Sequence, residues 1–141
     1  MRIVLDTNVL LVALPSHSPF HTIFTCLQQG KYDLYISNEV LTEYEEKISE
    51  RLGANRTDLQ LRELLNYPNV HLTDIFYKWH FIVADPDDDK FVDCAVSSNA
   101  DLIVTNDNHY KVLGQVDFPK IPTIKAEEFV ELLKNKAHEN S

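Results

Sequence analysis

The sequence predicts an α/β domain built on a mostly parallel sheet. Three observations carry this expectation. Short apolar runs (RIVL, YDLYIS, DLIVTND) alternate with longer stretches whose apolar residues recur at helical spacing. Strands that alternate with helices return by right-handed crossovers and so lie parallel. Glycine is scarce, three in 141 residues, which disfavours a turn-dense all-β chain. A chain of 141 residues with 44% apolar and 25% charged residues suits one soluble packed core. We expect a single domain over residues 1–135 and a polar tail over 136–141.

RIVL, bounded by a charged residue, reads as a buried first strand. A helix follows over SPFHTIFTCLQQG: Ser18 can cap it, Pro19 suits its first turn, Phe20, Ile23, Phe24 and Leu27 form its apolar stripe, and Gly30 ends it. YDLYIS alternates and is rich in β-formers, so it is the second strand. Ser37 or Asn38 then caps a helix in which Val40, Leu41, Tyr44, Ile48 and Leu52 share a face. A further helix spans about Thr57 to Leu65, ended by Asn66 and Pro68. NVHLTD is expected as a third strand. ADPDDDKFVDCAVSSNA is a turn feeding a helix, DLIVTND a fourth strand, IPTI a short fifth, and KAEEFVELLKNK a closing amphipathic helix.

The formal net charge is −9, which argues against a broad basic face gripping nucleic acid. It suits a site crowded with carboxylates that recruits cations. Cys26 and Cys94 have no zinc or CxxC spacing and read as reduced, buried thiols of a cytosolic protein. No signal peptide opens the chain, and VLLVAL is far shorter than the ~20 residues of a membrane span. The expected location is cytoplasmic, with no membrane partner.

Four acids fall at telling places. Asp6 follows the first strand and Asp107 the fourth. In an open parallel sheet the carboxyl ends of the strands share one edge, where ligands bind. Glu43 lies near the start of a helix leaving that edge. It borders Val40, Leu41 and Tyr44, whereas Glu45 and Glu46 suit solvent. Asp93 interrupts FVDCAV, an otherwise apolar run in which an unpaired charge is costly. Each acid also has a plainer reading: Asp6 as a strand-end cap, Glu43 as part of a solvated face, Asp107 as a turn residue. Clustered carboxylates repel, so one keeps a proton or a cation neutralises them. Their hard oxygens suit Mg²⁺ or Mn²⁺, which can activate water for phosphodiester cleavage without a Ser, Cys or His nucleophile.

LDTNVLL, ISNEVLTEYEEKI, DPDDDKFVDCAVSSNADLIVTND and IPTIKAEEFVELL, in that order, resemble the PIN-domain nucleases, especially bacterial toxin-like members. The resemblance covers nearly the whole chain. It implies a Rossmann-like three-layer fold with about five parallel strands in the order 3-2-1-4-5. It implies a Mg²⁺ or Mn²⁺ site whose acids map to Asp6, Glu43, Asp93 and Asp107, with Asn8 and Thr105 as polar helpers. It further implies hydrolysis of single-stranded RNA, an antitoxin partner that silences the enzyme, and a homodimer.

The triplet Asp87, Asp88, Asp89 leaves the third acid open. Asp88 or Asp89 can cap the helix starting near Lys90, with Asp89 the reserve for Asp93 as ligand. Lys90 and Lys111 flank the acids and could hold an RNA backbone. The six histidines, His17, His21, His71, His80, His109 and His138, form no helical i, i+4 pair, though His109 lies near Asp107. Tyr77, Trp79 and Phe81 could stack bases but suit a core or an oligomer contact better. A dehalogenase-like phosphatase would need an acid where Asn8 stands, and a response-regulator receiver would need an acid pair where VLDTN supplies one acid. The rival from another class is a catalytically silent PIN-like module that binds RNA or protein.

Overall fold

The structure, a computed structural model, describes residues 1–75, 89–107 and 121–139, with only the backbone of Asp89 and of residues 137–139. Five strands, β1 (Arg2–Leu5), β2 (Asp33–Ile36), β3 (Val70–Leu72), β4 (Leu102–Val104) and β5 (Thr123–Ile124), form one sheet in the order β3-β2-β1-β4-β5. Every neighbouring pair is parallel, with Ile3 opposite both Leu34 and Leu102. The central strand is buried on both faces, which is why RIVL is a continuous apolar run rather than an alternating one. β2, nearer the edge, alternates between buried and half-buried residues.

The helices are α1 (Thr7–Ala13), α2 (His21–Gln28), α3 (Asn38–Leu52), α4 (Ala54–Asn66), α5 (Asp89–Ser98) and α6 (Ala126–Glu139). The sequence pattern did not reveal α1. Thr7, Val9, Leu10, Leu11 and Ala13 are all buried, so no polar stripe betrays the helical period. The helix expected from Ser18 starts instead at His21. Ser18 makes a turn, its Oγ accepting from the Phe20 N–H at 3.1 Å and its carbonyl from the His21 N–H at 3.1 Å. Gly30, with φ of 73°, turns the chain out of α2 in the left-handed region that glycine favours. α6 runs through Glu139, into the stretch expected as a tail.

Ser37 is the cap of α3: its Oγ accepts from the Val40 N–H at 3.2 Å. Gly53, with φ of 80°, separates α3 from α4. α5 lies against β2, β1 and β4, and α3 packs on α1, α4 and α5. The core joins Ile3, Val4 and Leu5 to Leu34, Ile36, Ile103 and Val104 of the neighbouring strands, and to Phe91, Val92 and Ala95 of α5. Tyr32 and Phe129 meet edge to face at 5.2 Å, which anchors α6. Among the described residues no helix is long and apolar enough to cross a membrane.

Ser37→Ala removes the α3 cap and is expected to lower stability by about 0.5–2 kcal/mol. Urea titration would check it. The midpoint should fall while the slope stays constant, because the folded state loses one hydrogen bond and no packing.

Candidate active site

Parallel strands bring Asp6, Ser37 and Thr105 to one edge of the sheet, because each directly follows its strand. Asp6 sits where β1 becomes α1 with no loop between. Its N–H extends the ladder to the Val104 carbonyl at 3.0 Å, and its own carbonyl accepts from Val9 and Leu10 at 3.0 and 3.1 Å. The side chain is buried, with the residue 5% exposed. Its Oδ2 accepts from the Thr105 hydroxyl at 2.8 Å. The Asn8 N–H also favours the carboxylate, without meeting the geometry of a full cap hydrogen bond. Thr105, itself buried, accepts in turn from the Asp107 N–H at 3.0 Å. One hydroxyl therefore ties the first acid to the backbone of the last.

Burial pushes the Asp6 carboxyl above its ordinary pKa, the Thr105 hydrogen bond and the nearby Asn8 N–H oppose that rise, and the charges of Glu43 and Asp107 add to it. Glu43 and Asp107 are thus within electrostatic reach of Asp6. Both Glu43 oxygens are engaged: Thr7 donates its hydroxyl to Oε2, and Lys90 Nζ lies 3.0 Å from Oε1. Tyr44, fully buried beside Glu43, donates its hydroxyl to the Leu5 carbonyl at 2.5 Å. That bond fastens α3 to the end of β1, immediately before Asp6.

Asp93 is buried in α5, 4% exposed, one helical turn past Lys90. Its charge acts on Cys94, whose thiol is pushed up to about 12, mainly by burial. Asp89 is the first residue of α5, and its side chain lies outside the described residues, as do Lys111, Asp87, Asp88, Tyr77, Trp79, Phe81 and His109. The Asn8 side chain is exposed. His21 bonds the Ala13 carbonyl at 2.8 Å and His71 pairs with Asp33 at 3.0 Å, so both have structural partners. Both thiols are free, Cys94 buried and Cys26 half-buried.

The edge thus gathers Asp6, Glu43 and Asp107 with Thr105 and Lys90, and sets Asp93 on the helix that carries Lys90. Sequence reasoning missed Thr7 and Tyr44. Thr7 stood between two polar residues that drew attention, in a helix that was not recognised. Tyr44 was counted as apolar stripe, and its hydroxyl had no local signal. Among the described residues, no three His, Cys, Asp or Glu side chains converge closely enough to hold an ion as they stand. The donor chemistry nevertheless fits a hard divalent cation: carboxylate oxygens, one of them raised in pKa by burial and by like charge.

Folded Asp6 holds its proton more tightly than the unfolded chain does. As pH rises from the ordinary Asp value through the raised one, the folded state loses stability, because unfolding lets the carboxyl ionise in water. At neutral pH the ionised carboxyl is a cost. Asp6→Asn keeps an acceptor for Thr105 and removes the charge. In EDTA at pH 7 the variant should melt at or above wild type, and its advantage should shrink as the pH is lowered towards 4. A variant melting well below wild type at pH 7 would make Asp6 a structural cap.

No curated protein matches the chain. Solved structures do. VapBC2 from Rickettsia felis, bound to a DNA fragment from its promoter, is similar over 89% of this chain and 98% of that one, with a TM-score of 0.60 and 19% identity. DNA-bound VapBC from Salmonella typhimurium is similar over 89% and 98%, with a TM-score of 0.59 and 15% identity. The PIN-domain endonuclease Utp24 is similar over 88% and 84%, with a TM-score of 0.52 and 24% identity. These likenesses show the fold. The sequence model of the PIN domain matches residues 2–109, from the first strand past Asp107, and the chain belongs to the PIN-domain family.

Proposed function

We propose that the chain is a metal-dependent ribonuclease that hydrolyses single-stranded RNA. The observation that carries this reading is the buried Asp6 carboxylate at the sheet edge, bonded through Thr105 to the Asp107 backbone and in charge contact with Glu43. Asp6, Glu43, Asp93 and Asp107 would hold Mg²⁺ or Mn²⁺, which supplies an activated water and stabilises charge on a phosphate in flight. The protein's own contribution is positional. Thr105 holds the Asp6 carboxylate, Thr7 orients Glu43, and Tyr44 sets the spacing between β1 and α3. The acid edge repels a bare phosphate, so substrate approach depends on a bound cation.

Two of the similar structures are VapBC complexes, which supports a toxin role for this chain with an antitoxin as partner; a homodimer belongs to the same proposal and rests on the family resemblance alone. The net charge of −9 argues against a broad DNA-gripping face on this chain in such a complex. The second reading is a catalytically silent module that binds RNA or protein. One observation favours it: both Glu43 oxygens are already occupied by protein groups.

The deciding assay is cleavage of single-stranded RNA with Mn²⁺ or Mg²⁺ and with EDTA. The nuclease reading expects cleavage that stops on chelation. Activity surviving complete chelation would overturn the metal mechanism, and no cleavage with either metal would favour the silent module. A second set of variants separates Asp93 from Asp89. Asp93→Asn should fold and lose most of its rate. Asp89→Asn should keep most activity, and because Asp89 is the first residue of α5 rather than its cap, Asp89→Ala should cost only about 0.3–1 kcal/mol, the loss of an acid at a helix N-terminus. Cleavage abolished by Asp89→Asn but not by Asp93→Asn would move the third acid one turn earlier.

A further inference from the structure

Lys90 is an odd residue to find where it is. It is the second residue of α5, where the helix dipole disfavours a cation. Its side chain is 18% exposed, and that of its partner Glu43 is 17% exposed. A lysine serving only solubility would extend into water. Instead the ammonium reaches 3.0 Å from Glu43 Oε1, across 47 residues of sequence. It is thereby placed among acids: Glu43 acts electrostatically on Asp6, which also feels Asp107.

We propose that Lys90 is a tethered counter-ion that holds Glu43 Oε1 in the metal-free protein and must give it up when a divalent cation binds. This rests on the metal-dependent reading above. An ammonium and a divalent ion at one carboxylate oxygen repel each other at short range, and the pair, with side chains 18% and 17% exposed, is only partly screened by solvent. The lysine side chain is a point charge on a flexible four-carbon stem, so it can leave without moving the helix. Thr7 keeps its hydroxyl on Oε2 meanwhile, so Glu43 remains oriented while its other oxygen changes partner. The exchange needs no proton transfer.

The test is Mn²⁺ affinity of chelator-stripped protein, read by the electron paramagnetic resonance of free Mn²⁺ and by calorimetry, with melting in EDTA alongside. Lys90→Met should bind Mn²⁺ about tenfold more tightly than wild type, a coupling of ordinary size between two ligands of one protein. It should also melt lower in EDTA, since Glu43 loses its partner. Lys90→Arg should stay near wild type. Lys134→Met removes an exposed cation on α6 that is not among the residues of the acid edge, and should change affinity less than twofold. If Lys90→Met binds Mn²⁺ no better than wild type, Lys90 is a plain structural ion pair and the proposal fails while the nuclease reading stands. If Lys134→Met tightens binding as much as Lys90→Met, the effect is one of overall charge and the proposal also fails. Mn²⁺ binding to neither wild type nor Lys90→Met would overturn both readings.

Discussion

Everything at the acid edge depends on the way the backbone is held at Asp6. Its N–H belongs to the sheet and its carbonyl to a helix, with no loop residue between them. A strand-to-helix corner with both backbone groups engaged cannot pivot without breaking one of them, and buried backbone groups are costly to leave unpaired. The carboxylate therefore leaves a fixed point. Its burial is tolerated because Thr105 and the Asn8 N–H partly offset the loss of water.

The second acid inherits its position from that corner. α3 is started by Ser37 at the end of β2 and is fastened to the end of β1 by Tyr44. Two hydrogen bonds from different strands thus set where Glu43 stands along the edge. α5 closes the arrangement from above β2, β1 and β4, and brings Lys90 onto Glu43. Stability and site geometry share the same bonds here, so a change made for one is felt by the other.

Most of the elements could be read from local pattern. β1 and β4 are apolar runs, β2 alternates, and α3 and α6 carry clear stripes. Glu43 was legible because it borders Val40 and Tyr44, both buried, while Glu45 and Glu46 are exposed. Asp93 was legible as an acid inside an apolar run, and it is indeed buried. α1 was not, since a seven-residue helix buried nearly all round has no period to show. The strand order came from family resemblance, because alternation of strands and helices implies a parallel sheet but not its sequence of neighbours. The Lys90–Glu43 and Tyr44–Leu5 bonds span 47 and 39 residues and leave no trace in any local window. Lys90 read as a cation for phosphate because pairing between distant side chains is a property of the fold.

The bond between Thr105 and Asp6 joins residues 99 positions apart. Beyond it, the Asn106 side chain accepts from the Ala126 N–H at 3.1 Å and so starts the final helix. A chain emerging from the ribosome carries Asp6 and Glu43 early, but β1 has no β4 beside it and the Asp6 N–H no Val104 carbonyl until the chain has been made past Val104. Unfinished and prematurely terminated products thus contain the first two acids without the frame that aligns them. Whatever chemistry the edge performs is withheld until Val104 and Thr105 have joined β1 and Asp6.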